Sequence, residues 1–299
     1  MRKIIYASLS LTSRILGKIS RIVRSAANQF EPQDIQEKLV RQSTQYNMVT
    51  APDEPYYAEQ YWTFIRPHLD RLSGQIQAID LGCSQGRFTL PLAQLFPTGQ
   101  VIACDFSPDA ISTAKRYAQA ASVTNISYRV QSISECIETL EPNTCDVILM
   151  TEVTIFYPKW QLDLPKIVES LKPGGILVMS FKSKYFYALT IARHRVWENV
   201  DMLINQTQGR IGRGSPVEFT WQTSAEVRNI LTDKFGLNLI DIVGIGVVSG
   251  MEGHDPHDNI VRPSLLNNSE REALMKLELA LAPQVPDAGR YILAVARKP

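Results

Sequence analysis

From residue 76 onward, short apolar runs alternate with amphipathic stretches. Residues 76–81, 100–104, 126–130, 146–150 and 176–181 are nearly all apolar, as expected of strands covered on both faces. Between them, 87–96, 108–121, 134–140 and 160–171 read as helices, the second with Pro108 near its start. Strands separated by helices of this length predict βαβ units and a parallel sheet. After residue 182 the alternation breaks. Residues 185–206 read as one long helix, 209–214 as a glycine-rich loop and 219–221 as an extended piece. Thr223-Ser-Ala-Glu226 is a capping box that opens a helix to 234. Residues 237–248 and 290–296 read as the last strands. Between them lie a loop rich in His, Asp and Pro (250–268) and a helix (269–281). Upstream, 56–72 reads as an aromatic-rich helix closed by Ser73-Gly74.

Charge changes the picture at one end. The chain of 299 residues carries a net charge of +1, so nothing global points to nucleic acid. The first 30 residues nonetheless hold six Lys or Arg and no acid. Leu11, Ile15, Ile19, Ile22 and Val23 recur at helical spacing, with Arg14, Lys18 and Arg21 on another face. Residues 1–28 therefore predict a basic amphipathic helix, which either packs on the domain or makes a peripheral contact with an anionic membrane surface. No apolar run in the sequence reaches membrane-spanning length. Cys83, Cys104, Cys136 and Cys145 sit in or beside apolar runs, without the close spacing of a zinc site. Reduced, buried thiols and a cytoplasmic location are the expectation, and no metal is assigned.

The candidate chemistry gathers where strands end. Asp80-Leu-Gly82-Cys83-Ser84-Gln-Gly86 follows the first strand, Asp105 ends the second, and Thr151-Glu152 follows the fourth. Ligands of open α/β sheets bind outside the carboxyl ends of the strands, and an acid ending the second strand suits ribose hydroxyls. The turn has a second reading. Gly82-Cys-Ser84-Gln-Gly86 also fits the Gly-x-Ser-x-Gly nucleophile elbow of an α/β-hydrolase, with Ser84 as nucleophile. That reading leaves Asp80 and Asp105 without roles.

The sequence resembles the class I S-adenosylmethionine-dependent methyltransferases. Residues 79–88, 102–108 and 145–152 resemble the family's first, second and fourth-strand motifs; 171–178 resembles the fifth-strand turn, and 290–298 the last strand. The resemblance implies a doubly wound, mostly parallel, seven-stranded Rossmann-like sheet with its last strand antiparallel. It implies a methyltransferase domain over 75–299, a helical extension and cap over 1–74, and helical lid insertions on the acceptor side at 182–216 and 250–287. It assigns S-adenosylmethionine to Asp80, Gly82, Cys83, Ser84, Gly86, Asp105, Phe106, Ser132, Ile133, Ser134 and Thr151. Two positions depart from the family pattern. Ile133 stands where many members carry an acid, leaving adenine to backbone contacts or Glu135. Ser84 stands where many carry a third glycine, and it fits only with ordinary backbone angles.

The acceptor end is less marked. Methyl transfer to oxygen is helped by a general base, and Tyr157, His254 and His257 are the candidates; Phe156 stands where many relatives have a histidine. The aromatic content outside the core favours a small organic or lipid-like acceptor over RNA or protein. A non-catalytic cofactor-binding protein on the same fold is a further alternative, since fold does not fix function.

Overall fold

A computed structural model describes residues 46–212, 215, 217–252 and 255–299. The helix expected over 1–28 and the candidate base His254 lie outside the described residues. The first described helix, α1 (Glu54–Leu69), is followed by β1 (Gln77–Leu81), α2 (Thr89–Leu95), β2 (Gln100–Asp105), α3 (Pro108–Ala120) and β3 (Ile126–Val130). Then come α4 (Ile133–Glu138), β4 (Cys145–Met150), α5 (Trp160–Ser170) and β5 (Leu171–Lys182). The segment after β5 forms α6 (Lys184–His194), α7 (Val200–Asn205) and a short ribbon of β6 (Gln208–Gly209) and β7 (Phe219–Thr220). The chain ends with α8 (Ser224–Asn229), β8 (Asn238–Ile245), α9 (Asn268–Leu281) and β9 (Tyr291–Arg297).

The main sheet has seven strands in the order β3-β2-β1-β4-β5-β9-β8. The pairings from β3 to β5 are parallel, and β9 runs antiparallel to both β5 and β8. The order reverses between β1 and β4, the switch point where doubly wound sheets bind ligands. Alternate residues of each strand serve opposite faces. Ala78, Val147, Leu149 and Val178 face one core cluster together with Tyr57, Tyr61 and Ile65 of α1. Ile79, Leu81, Ile148, Met150 and Met179 face the other with Trp160 and Leu164 of α5. Burial on both faces explains the unbroken apolar strands. All four cysteines are buried and free, as their surroundings in the sequence suggest.

Three local expectations change. The long helix over 185–206 is broken into α6 and α7, because Arg195 adopts a left-handed φ of 52° and caps α6. β5 begins at Leu171, ahead of the glycine turn, and pairs Leu171 with Cys145 before the register shifts. The capping box at Thr223 is formed, but its helix passes into a wider turn over Ile230–Lys234. A second capping box, Asn267 with Glu270, opens α9.

Candidate functional site

The turn after β1 is built from backbone groups. Gly82 and Cys83 N–H both donate to Cys104 O at 2.9 Å, tying the turn to the end of β2. Gly82 and Gly86 have φ of 74° and 86°, a region glycine enters without strain. A Cβ on Gly82 would come within 2.5 Å of a Val153 methyl carbon, so the turn must pass bare beneath the loop after β4. Ser84 also lies in the left-handed region, at φ 46°. Its backbone angles are not the ordinary ones expected; the position keeps the glycine-like conformation and accommodates a side chain at a cost.

Asp105 closes the turn. Its Oδ2 accepts from Ser84 N–H at 2.9 Å and its Oδ1 from Ser107 N–H at 2.8 Å. The carboxylate is thus held at the mouth of the turn, at the end of β2, where ribose hydroxyls would be recognised. Asp80 works beneath it. It is buried and accepts from Thr89 Oγ1 at 2.5 Å, so it anchors the start of α2. Burial pushes its carboxyl up to about 7, Thr89 opposes the rise, and the charge of Asp105 adds to it.

A strap crosses this region from the N-terminal side. Gln85 Oε1 accepts from Met48 N–H at 2.9 Å and Gln85 Nε2 donates to Tyr46 O at 3.1 Å. Asn47 Nδ2 donates to Tyr117 Oη of α3 at 2.9 Å. Met48 Sδ lies 3.7 Å from Ser84 Oγ. That sulfur contact, with no histidine beside it among the described residues, leaves the nucleophile-elbow reading without a base. Among the described histidines, His68 pairs with Asp241 and His257 with Asp255.

On the adenine side, Ser132 caps α4 and forms a capping box with Glu135. Glu135 accepts from both Ser132 N–H and Ser132 Oγ at 2.8 Å. Its carboxylate is therefore a helix cap, and it leaves the backbone near Ile133 and Ser134 for the adenine edge that the resemblance implies. Phe106 follows Asp105 and Thr151 is buried at the end of β4. The donor set fits S-adenosylmethionine: Gly82, Cys83, Ser84 and Gly86 form a bare cradle, Asp105 a fixed acceptor, and Ser132–Ser134 a capped edge.

Tyr157 lies beside Ser134. Its hydroxyl donates to Asp163 and lies 2.6 Å from Ser134 Oγ. Burial, then the hydrogen bond to Asp163, raises its proton affinity well above that of an ordinary tyrosine. The hydroxyl thus links α4 and α5. His257 is buried, not exposed as a loop histidine would be, with Nδ1 3.3 Å from Asp255 Oδ1.

His257 borders a charged cluster at the C-terminal ends of β4 and β5 and the start of β9. Arg87, following the glycine turn, bonds Glu54 of α1 and reaches Glu152 at 2.8 Å. Glu152 has φ 58° and its N–H donates to Ser180 Oγ at 2.6 Å. Burial pushes its carboxyl up, but the charges of Arg87 and Arg290 hold it below its usual value. Arg290 bonds Asp255 and donates from Nη2 to Met251 Sδ at 2.8 Å. Burial opposes the ionisation of Asp255, and Arg290 overcomes it, holding that carboxyl well below the usual range. Lys182 ends β5 inside the cluster, its Nζ 3.3 Å from the Phe186 ring centre and 4.2 Å from that of Tyr291. Burial, then the charge of Arg290, pushes it down to about 7.

Most of these charged residues do not stand out in the sequence. Two signals were present: Lys182 ends an otherwise apolar strand, and Glu152 follows Thr151 at the end of β4. An open cleft beside α8, lined by Arg228, Asn229, Asp233 and Pro286, shares none of the site's residues.

A methyltransferase-domain family profile matches residues 72–232. The chain is 28% identical over 162 residues to a malonyl-[acyl-carrier protein] O-methyltransferase of Bacillus cytotoxicus, covering 54% of this chain and 52% of that protein. It is 30% identical over 175 residues to a ubiquinone biosynthesis O-methyltransferase of Methylobacterium nodulans, covering 57% of this chain and 63% of that protein. In both cases the match spans less than two thirds of the relative. A solved structure from Listeria monocytogenes, described as a putative S-adenosylmethionine-dependent methyltransferase, superposes with a TM-score of 0.53 at 19% identity, covering 82% of this chain and all of that one. That likeness bears on the fold alone, and the sheet order agrees with it. With the profile matching more than half of its length, the chain belongs to the methyltransferase-domain family, of the class I kind that uses S-adenosylmethionine.

Proposed function

We propose that this protein transfers the methyl group of S-adenosylmethionine to an oxygen of a small organic or lipid-like acceptor. One observation carries the reading: a bare glycine turn lies in register with Asp105, whose carboxylate is fixed by Ser84 and Ser107 at the switch point of the sheet. The named activities of the two relatives, both O-methyltransferases, support oxygen as the acceptor atom. The cofactor supplies a methyl group already activated by the positive charge on its sulfur. The chain's own work is to hold the acceptor in line and to exclude water.

The segments after β5 and after β8 furnish the acceptor side. Lys182 at the end of β5 lies against Phe186 of the first segment, Phe186 neighbours His257 of the second, and Arg290 lies over the Tyr57 ring of α1. Aromatic walls around a few buried polar groups suit a small acceptor. His257 remains beside that wall as a proton-handling candidate, paired with Asp255. The test offers methyl-labelled S-adenosylmethionine to the protein with separated small-molecule, lipid, RNA and protein fractions of an extract. Label is expected in the small-molecule or lipid fraction, on oxygen. Label in RNA or protein alone would replace the acceptor class, and label nowhere would remove the transferase reading.

A further inference from the structure

Two cationic donors in the charged cluster, Lys182 Nζ and Arg290 Nη1, have no acceptor among the described residues. Lys182 Nζ is buried against the Phe186 and Tyr291 rings, and among the described residues nothing accepts a hydrogen bond from it. Arg290 engages Asp255 through Nε and Met251 through Nη2, while its Nη1 donates to no described residue. Tyr61 Oη is fully buried, with the Ser180 hydroxyl, Glu152 and Tyr291 around it. An ammonium on a buried side chain, held against aromatic rings without an oxygen partner, is left with hydrogen bonds to make. The nearby carboxylates do not serve: Glu152 is bound to Arg87, and Asp255 to Arg290 and His257.

We infer that these donors bind a carboxylate of the methyl acceptor, with Lys182 as the primary contact, and that this carboxylate is the group methylated. The inference rests on the methyltransferase reading and names its substrate class. Position supports it. Lys182 ends β5, which pairs with β4, and β4 leads into Thr151 and Glu152 on the cofactor side. Chemistry supports it as well. A carboxylate oxygen uses its own lone pair to form the new bond to carbon. The carbon–sulfur bond of the S-adenosylmethionine breaks, and its electron pair stays on sulfur. The products are a methyl ester and a neutral thioether, and no proton is released. Such an acceptor needs no general base, which agrees with a Tyr157 hydroxyl that donates to Asp163. Charge-assisted contacts from an ammonium and a guanidinium are the recognition that a carboxylate calls for.

The test uses the full chain saturated with S-adenosylhomocysteine, titrated with benzoate and octanoate against benzamide and octanamide. The wild type is expected to bind each acid at least tenfold more tightly than its amide. Lys182→Gln should abolish that preference while S-adenosylhomocysteine still binds; Lys182→Met serves if the glutamine variant does not fold. Labelled product from extract should release methanol on mild base treatment, as esters do and ethers do not. Equal binding of acids and amides, an acid preference retained in both variants, or only base-stable label would each overturn the inference. Failure of S-adenosylhomocysteine to bind the wild type would instead remove the methyltransferase reading on which it rests.

Discussion

The two halves of the proposed site are made differently. The cofactor half is built from backbone: Gly82, Gly86, the N–H groups of Ser84 and Ser107, and one fixed carboxylate, all within residues 80–107. The acceptor half is built from long charged side chains drawn from α1, the turn before α2, the loop after β4, the end of β5, the loop after β8 and the start of β9. A half made of backbone is rigid and serves one ligand. A half made of side chains on separate segments can change its ligand by changing a few of them, as expected where function lies in sites grafted on a common fold.

The comparison breaks first at Glu152. Glu152→Ala leaves the buried Arg87 with Glu54 as its remaining acid, and removing one partner of a buried pair costs about 3–5 kcal/mol. Denaturant unfolding reads the loss. If stability is unchanged, the acceptor half is not the ion-paired core described here.

Lys182 should behave in the opposite sense. Replacing a buried ammonium that has no oxygen partner with an apolar side chain removes the cost of burying its charge, and methionine keeps favourable contacts to Phe186 and Tyr291. Lys182→Met should therefore raise the melting temperature at pH 7. The sign follows from the depressed value: Lys182 sits at about 7 when folded, against an ordinary 10.5. Its stability contribution is present above the unfolded value and lost as pH falls through the folded one. The advantage of the variant should be full at pH 7 and below, and shrink towards pH 10. The groups facing Lys182 are Arg290, Asp255, Glu152 and Tyr291. A less stable Lys182→Met would show that the ammonium is satisfied inside the fold.

The contrast also explains what the sequence revealed. The order of strands and helices, the seven-stranded sheet and the cofactor turn are local features, written in apolar runs and in residues 80–107. The same locality marked Asp80, Gly82, Gly86 and Asp105. Arg87, Lys182, Asp255 and Arg290 each look like ordinary charged residues, and only the folded sheet brings them together. Tyr157 shows the same limit: its proximity to Thr151 is sequential, while the bond of its hydroxyl to Asp163 of α5 appears only in the fold. Ser84 hid a left-handed backbone that residue type does not announce.

In the cofactor half, pH sharpens the comparison. Asp80 is raised to about 7 from 3.8, so its contribution is complete below its unfolded value and lost as pH rises through the folded one. Between pH 5 and 8 the wild type should lose roughly 2 kcal/mol relative to Asp80→Asn, which cannot ionise. Parallel pH profiles of the two proteins would refute the buried, protonated carboxyl. The smallest effect is expected at Ser84. Ser84→Gly relieves a left-handed side chain at φ 46° and should stabilise by about 0.5–1 kcal/mol, read as a small rise in denaturant midpoint. A fall would mean that the Met48 contact outweighs the strain.

The central claim is that the backbone-built half binds the cofactor through Asp105. Calorimetric titration of S-adenosylhomocysteine into the wild type and Asp105→Ala tests it directly. The account predicts saturable one-to-one binding to the wild type, weakened at least a hundredfold in a variant that remains folded. No binding to the wild type, or equal binding to both proteins, would contradict it.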